Sequence, residues 1–214
     1  AALLTYDRAK ENPVLARLCH SLDVDEETFE EALALTPKAA KTSLLPDVTI
    51  EHNGLRLTRL PPGDIRGLFL GEFTHCCQHL GGVGAECAVY GFTRKESGFY
   101  IVQNADDEIV GQTWASLTKK GLLLDSLETL GNRVSKKDWE ILIGKLRDAA
   151  GVSLHIGTGG GTGTLGIPTA EQPIQHPEYQ GYSDARNQYR LEYQPTPARL
   201  EKASENRRTK PGLM

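Results

Sequence analysis

Residues 98–130 read GFYIVQNADDEIVGQTWASLTKKGLLLDSLETL, three apolar segments separated by two short polar ones. The apolar segments have the length and the β-branched and aromatic content that are typical of β-strands. Because short polar connections join strands that run antiparallel, the stretch predicts an antiparallel meander. The three predicted strands are Gly98–Asn104, Glu108–Leu117 and Gly121–Leu130.

A helix and a further strand are predicted after the meander. Ser135 is a suitable N-cap, apolar residues recur at helical spacing behind it, and Gly151 follows Ala150 as a stop signal. Val152–Ile156 then has the composition of a short strand. A strand, a helix and a strand in this order form a crossover, so the strands on either side of the helix are predicted to be parallel.

The chain before the meander is predicted to begin with a helical pair. Asn12 and Asp25 are the N-caps of its two helices, and Pro37 ends the second helix. A hairpin is expected around Asn53-Gly54, because this dipeptide favours a two-residue turn. The other predicted elements are strands at Val48–Ile50 and Leu55–Leu60, a helix at Asp64–Leu80 and a strand at Ala88–Thr93.

Together these elements predict an α+β fold with a twisted, mainly antiparallel central sheet, one parallel strand–helix–strand crossover and an N-terminal helical pair. We expect a helical segment and linker over residues 1–46, an α/β domain over residues 47–195 and a charged tail over residues 196–214. Residues 157–166, GTGGGTGTLG, lack the Lys of a phosphate-binding loop and are expected to form a mobile surface loop.

The composition narrows the class of protein. The chain has 214 residues, with 24 Lys and Arg against 28 Asp and Glu, and therefore a formal charge of −4. This mild acidity argues against nucleic acid as a partner. No apolar run approaches the roughly 18–20 residues that cross a bilayer, and no secretory signal is visible, so we expect no membrane partner and a cytoplasmic location.

The stretch from Val89 to Ile156 resembles the GNAT superfamily of N-acetyltransferases in the order of its elements and in its hydrophobic pattern. The resemblance implies a GNAT-like sheet, acetyl-CoA or another acyl-CoA as the donor, and a small-molecule or protein amine as the acceptor. It also implies a carboxylate general base on or near the third meander strand, where Glu128 and Asp125 lie. A tyrosine downstream of the crossover, Tyr182 or Tyr189, would be the matching acid.

The resemblance further implies that the acyl donor contacts the end of that strand and the loop before the next helix. In the family, backbone N–H groups in this loop bind pyrophosphate. The loop of this chain departs from the family pattern Arg/Gln-x-x-Gly-x-Gly/Ala, because it has Gly131 and Arg133 without paired small residues. The matching positions are Leu127, Leu130, Gly131, Asn132, Arg133 and Ser135.

Thiols and imidazoles cluster between residues 75 and 87, which contain three of the four Cys and two of the six His residues. Zinc is one interpretation, but it is not favoured, because the spacing of the residues is unusual for a structural site. Burial of the cysteines as small apolar side chains is another. The weak candidate ligands are Cys76, Cys77, His79 and Cys87.

A thiol nucleophile is the third interpretation of the cluster. Cys76 or Cys77, followed downstream by His155 and Asp184, has the chain order of a nucleophile, a base and an orienting carboxylate. The sequence thus predicts a GNAT-like acyltransferase, or a degenerate descendant of one. The alternatives are a cysteine-dependent hydrolase or transferase, and a non-catalytic interaction module with a loop that Cys and His stabilise.

Overall fold

The computed structural model of the chain describes residues 10–158, 167–168 and 173–195. The predictions for the glycine-rich segment from residue 159 onward and for the tail concern residues outside these ranges. None of the described helices is both long and apolar enough to span a membrane.

The helices begin where the sequence offers caps. Asn12 Oδ1 accepts from Leu15 N at 3.0 Å, and Asp25 Oδ1 accepts from Thr28 N at 2.8 Å, which confirms both predicted N-caps. The α-helices are α1 (Pro13–Ser21), α2 (Glu26–Leu35), α3 (Leu70–Thr74), α4 (Ala85–Thr93) and α5 (Lys136–Ala150). Two 3₁₀ turns are at Thr36–Lys38 and Ile65–Leu68.

The described strands form one sheet in the order β1-β2-β3-β4-β5-β7-β9-β8, and β6 pairs with β4 beside this path. Every pairing is antiparallel except β5 with β7, which α5 connects. The mainly antiparallel α+β architecture with one parallel crossover is therefore confirmed. The strands are β1 (Thr49–His52), β2 (Leu55–Arg59), β3 (Ser97–Gln103), β4 (Ile109–Thr118), β5 (Gly121–Leu124), β6 (Glu128–Thr129), β7 (Leu154–Gly157), β8 (Ile167–Pro168) and β9 (Gln188–Leu191).

Apolar side chains cover both faces of the sheet. On one face, Trp139 and Leu142 of α5 are buried against Leu122 and Leu154 of the parallel pair. On the other face, α3 and α4 bury Trp114 and other residues of β3 and β4. The helical pair α1–α2 packs against Phe69, Leu80 and Phe92, so α3, α4 and their flanking loops lie between the helical pair and the sheet.

Three predicted elements are wrong in type or extent. Ala88–Thr93 was expected to be a strand but belongs to α4, because a short apolar run fits a buried helix as well as a strand. The helix predicted at Asp64–Leu80 is only a 3₁₀ turn and the five-residue α3, followed by a loop. The strand predicted at Gly121–Leu130 is interrupted between β5 and β6.

Candidate functional site

The interruption between β5 and β6 brings polar residues into the sheet. β5 stays paired with its neighbours as far as Leu124, and the chain rejoins β4 at Glu128, opposite Gln112. Opposed residues in a strand pair point to the same face, so the side chains of Gln112 and Glu128 are neighbours. Asp125 lies in the interruption itself and is fully buried. The interruption thus places two carboxyl groups, those of Asp125 and Glu128, only three residues apart in the chain.

The loop between α3 and α4 covers these residues with its cysteines. Cys76 N donates to Gly71 O at 2.9 Å, a close turn that needs glycine, since a Cβ on Gly71 would lie 2.4 Å from Cys76 O. Cys76 Sγ accepts from Gln78 N at 3.4 Å and from Gln112 Nε2 at 3.8 Å. The second contact joins the cysteine loop to β4.

Asp125 binds the cysteine loop and the C-terminal segment at the same time. Its carboxyl oxygens accept from Gln78 Nε2 at 2.7 Å and from the hydroxyl of Ser183. They also accept the backbone N–H groups of Asp184 and Ala185, each at 3.2 Å. A fully buried carboxylate with these donors is satisfied, so the geometry suits Asp125 to positioning its neighbours rather than to reacting.

His176 extends this network towards β4. Its Nε2 lies 3.3 Å from Asp125 Oδ1, and its Nδ1 lies 2.7 Å from Ser116 Oγ. The imidazole stacks on Trp114, with ring centroids 3.5 Å apart. Burial lowers the pKa of His176, although Asp125 acts in the opposite direction. Ser116 is buried within β4, so this serine, histidine and aspartate form an internal network rather than an accessible nucleophile.

Glu128 differs from Asp125 in its surroundings. It is partly exposed, and its carboxyl accepts a hydrogen bond from Ser126 Oγ at 2.8 Å. Burial raises the pKa of Glu128, and the nearby charges of Asp184 and Asp125 raise it further. A carboxylate that holds a proton more tightly than usual is a better base, and this one is accessible from solvent.

Two thiols lie beside these carboxylates. Burial raises the pKa of the Cys76 thiol, and the charge of Glu128 adds to the effect. Burial also raises the pKa of Cys77, and there Asp184 contributes. We call Cys76, Cys77, Glu128 and Asp184 the thiol–carboxylate cluster. Both cysteines are therefore thiols rather than thiolates near neutral pH.

Two buried amide oxygens next to the cluster have no hydrogen-bond donor in the part of the chain that the structure describes. They are Gln78 Oε1 and Gln112 Oε1, and both residues are at most 1% exposed. An unpaired buried acceptor costs roughly 1–3 kcal/mol. Both oxygens are enclosed by the fold, so they are a local cost in stability rather than groups that a ligand can reach.

The positions matched to a cofactor loop have partners within the chain. Ser135 Oγ accepts from Asp138 N at 3.1 Å, and the Asp138 carboxyl accepts from Ser135 N at 3.3 Å, so the first turn of α5 has its own capping box. His52 Nε2 lies 3.3 Å from Asp138 Oδ1. Arg133 pairs with Glu108 at 2.8 Å on the surface.

The remaining cofactor positions divide between core and surface. Leu127 is buried in the core beneath α5. Leu130, the residue directly after β6, is partly buried. Gly131 and Asn132 are exposed, and a Cβ on Gly131 would meet nothing within 4 Å. Space is therefore available at this loop, but the carboxylate of Asp138 occupies the end of the helix.

His155 and Tyr189, the other candidate residues, lie on β7 and β9, beyond β5 in the sheet. His155 is buried on β7, opposite Leu123 of β5, and Tyr189 lies on β9 opposite Ile156. The histidine that contacts the central carboxyl is His176, which the sequence did not single out. Tyr182, another tyrosine of the C-terminal segment, donates to Asp184 at 2.7 Å.

The candidate zinc ligands do not converge. His79 Nδ1 lies 2.9 Å from Glu72 Oε1, while Cys87 Sγ lies 3.4 Å from Tyr179 Oη. Over residues 10–158 and 173–195, no group of three or more His, Cys, Asp and Glu side chains is arranged to hold a metal ion.

Two sizeable cavities adjoin the site. One of about 730 Å³ is bordered by the segment from Pro173 to Arg186, with His176 and Ser183 in its wall. The other, of about 410 Å³, lies beyond the end of β6. Its lining residues are Arg66, Phe73, Asp107, Glu108, Ile109, Leu130 and Arg133.

The sequence missed the amide and imidazole groups that complete the site. Gln112 carried a usable signal, because it is a polar residue in the middle of an apolar strand, but the same pattern is typical of a solvent-facing position. Gln78 and His176 carried none, since only the tertiary fold brings them to Asp125.

No family model matches this chain, and no curated protein or solved structure matches it.

Proposed function

We propose that this protein is an acyltransferase that moves an acyl group from a thioester to an amine, with Glu128 as the general base. The observation that carries the proposal is the environment of Glu128, a partly buried carboxyl of raised pKa beside two thiols, where the central strand is interrupted. A carboxylate whose pKa is raised is a stronger base than one with the usual pKa.

The reaction needs one base and close approach of two substrates. Glu128 takes a proton from the amine, whose nitrogen attacks the thioester carbonyl carbon. A C–N bond forms, the C–S bond breaks, and the thiolate that leaves takes up a proton. The buried amides of Gln78 and Gln112 bind Asp125 and Cys76, which holds the cysteine loop next to the base.

The order of elements supports the same proposal. An antiparallel meander, a crossover helix and a parallel strand are the parts that the GNAT resemblance implies, and β3, β4, β5, α5 and β7 follow one another in that order. The base and the thiols lie on the sheet face opposite α5, so both are on one side of the sheet. A shared fold alone does not establish activity, so the argument rests on Glu128.

The side chains at the start of α5 do not fit the pyrophosphate of CoA. Ser135 caps the helix, and the carboxylate of Asp138 lies where a pyrophosphate would approach. An acyl-CoA, the donor predicted from the sequence, would have to hold its pyrophosphate elsewhere. We therefore propose a thioester as the donor and derive no step from the nucleotide part of CoA.

A cysteine-dependent transferase is the second candidate, because Cys76 and Cys77 belong to the same cluster as Glu128. In that case a thiol would take the acyl group before the amine does, and Glu128 would have to remove the thiol proton first. The raised pKa values of both thiols disfavour this route. Either Cys76→Ser or Cys77→Ser, whichever removes the nucleophile, would abolish this route, whereas direct transfer would persist in both variants.

The test is a mass-spectrometric assay of amide formation. The full chain is incubated with a panel of primary amines and with two donors, acetyl-CoA and S-acetyl-N-acetylcysteamine, which has the thioester but no nucleotide. We expect product with at least one pair and a loss of about 10²–10⁴-fold in Glu128→Gln. Glu140→Gln, an exposed glutamate on α5, is the matched control and should retain full activity. Equal activity of Glu128→Gln and the wild type would refute the assignment, as would the absence of product with every pair.

A further inference from the structure

The cavity of about 410 Å³ beyond β6 lies on the same face of the sheet as Glu128. Leu130 N donates to Val110 O at 2.9 Å, which continues the antiparallel pairing of β6 with β4. Side chains two residues apart in an extended strand point to the same face, so Leu130 follows Glu128 at roughly 6.6 Å along the chain. Since Leu130 lines the cavity, the cavity begins one side chain away from the proposed base.

The floor of the cavity is apolar. Phe73 of α3, Ile109 of β4 and Leu130 form it, and Ile109 is only 7% exposed. Apolar surface in a concave site favours a ligand with an apolar body. The volume is within the range of roughly 300–1,000 Å³ that small-molecule sites occupy.

The rim carries both signs of charge. Arg66 and Arg133 are its cations, and each already has a carboxylate partner, Asp64 at 2.7 Å and Glu108 at 2.8 Å. Asp64 holds Arg66 through both Nε and Nη2, so this pair fixes the position of Arg66, whose side chain is still more than one-third exposed. Arg133 and Glu108 share a single contact and are both more than half exposed, so that pair is weak and a ligand carboxylate can compete for Arg133.

The acids of the rim match the cations in number. Asp107 and Glu108 are its carboxylates, and Asp107 is paired with Arg56 at 2.5 Å. A rim with equal numbers of cations and anions does not select a simple anion or a simple cation. It complements a molecule that carries an ammonium and a carboxylate together.

We propose that this cavity binds an amphipathic zwitterion of amino-acid size, with its apolar side chain on Phe73, Ile109 and Leu130 and its carboxylate at Arg66 and Arg133. The proposal rests on the proposed function only in naming the amine of this molecule as the acyl acceptor. Binding itself requires neither a donor nor catalysis.

The larger cavity carries no comparable inference. The polar groups that it shares with the network around Asp125 already have partners within the chain, since both nitrogens of His176 and the hydroxyl of Ser183 are hydrogen-bonded. The other polar residues of its wall in the described part of the chain include Gln175, Gln180 and Arg186, which are exposed and do not single out one ligand class.

The test is isothermal titration calorimetry on the full chain without any acyl donor. The probes are L-phenylalanine, phenethylamine, which lacks the carboxylate, and 3-phenylpropionate, which lacks the amine. We expect L-phenylalanine to bind, and each singly charged analogue to bind at least about tenfold more weakly. Arg66→Gln and Arg133→Gln should each weaken L-phenylalanine about tenfold. Arg147→Gln, which removes a comparable surface pair with Asp148, should not.

Each result has a distinct meaning. Absence of L-phenylalanine binding at millimolar concentration overturns the inference, and so does binding that Arg66→Gln and Arg133→Gln leave unchanged. If binding follows the expected pattern but no amide product forms with any donor, the cavity inference stands and the proposed function fails. If product forms from other amines while L-phenylalanine does not bind, the proposed function stands and the cavity inference fails.

Discussion

Glu128 is the residue whose protonation should set the pH dependence of acyl transfer. Its carboxyl must be ionised to act as a base, so kcat/KM should rise with pH through its raised pKa. Asp184→Asn removes a negative charge that raises this pKa, and the acidic limb of the profile should move to lower pH, by less than about one pH unit. Asp106→Asn, in an exposed turn, is the control. A limb that stays in place or moves upward in Asp184→Asn would contradict the assignment.

The four cysteines should differ in reactivity. Burial raises the pKa of Cys19 to about 11 and that of Cys87 to about 12, and it raises the pKa of Cys76 furthest. Cys76 and Cys77 are both partly exposed, but burial raises the pKa of Cys77 less, so iodoacetamide at pH 7.5 should label Cys77 first, and more slowly than it labels glutathione. Peptide mass spectrometry over time measures the order. Stoichiometric labelling of Cys76 faster than glutathione would instead favour the cysteine-dependent candidate.

At the scale of single elements, the sequence predicted those whose ends are marked by local chemistry. Asn53 and Gly54 have φ values of 50° and 72°, as a two-residue hairpin turn between β1 and β2 requires. Ser135 and Gly151 cap α5 at the predicted places. These signals act within a few residues of the chain, and for that reason they could be recognised without knowledge of the fold.

Elements defined by distant contacts were not predictable in the same way. The interruption after Leu124 depends on Asp125, whose hydrogen-bond partners are far from it in sequence, such as Gln78 and Ser183. Of the candidate site, the sequence identified Glu128 and the cysteines as separate features. Their proximity follows from the pairing of β6 with β4 and from the path of the loop before α4, neither of which has a local signal.

The backbone around Gly157, at the end of β7, leaves no room for a side chain. A Cβ on Gly157 would lie 1.6 Å from Asp125 O and 2.9 Å from Asp184 O, so the backbone would have to move. We expect Gly157→Ala to lower the free energy of unfolding by about 1–3 kcal/mol, as overpacking does. Gly144→Ala is the matched control, because a Cβ there meets nothing within 4 Å and α5 should gain up to about 1 kcal/mol. Urea denaturation measures both variants. A Gly157→Ala variant as stable as the wild type would show that the backbone of Asp125 is not packed closely against Gly157.

Across the whole molecule, the network around Asp125 joins three parts that are distant in sequence. It connects the cysteine loop through Gln78, the sheet through Ser116, and the C-terminal segment through His176 and Ser183. None of these contacts is local, and their loss would leave residues 173–186 held mainly by β9 and by the contacts of Cys87 and Tyr90. The candidate site depends on this network, because Asp184 in the cluster belongs to the segment that Asp125 holds.

His176 makes that arrangement sensitive to acid. Burial lowers its pKa in the folded protein, whereas in the unfolded chain it titrates near roughly 6.5. The unfolded chain therefore binds more protons below this pH, and the free energy of unfolding must fall as the pH decreases from about 7. This one group contributes a slope of up to about 1.4 kcal/mol per pH unit, until the folded protein also takes up the proton.

His176→Gln removes the titrating group and should flatten this part of the stability profile, although the variant loses the stacking on Trp114 and is less stable at pH 8. His20→Gln replaces an exposed histidine and should keep the wild-type slope. Urea denaturation of the three proteins at several pH values between 5 and 8 provides the comparison. The slope, unlike the absolute stability, separates titration of His176 from simple loss of packing. An unchanged slope in His176→Gln would mean that acid acts on the molecule elsewhere, and that protonation of His176 does not weaken the link between the sheet and the C-terminal segment.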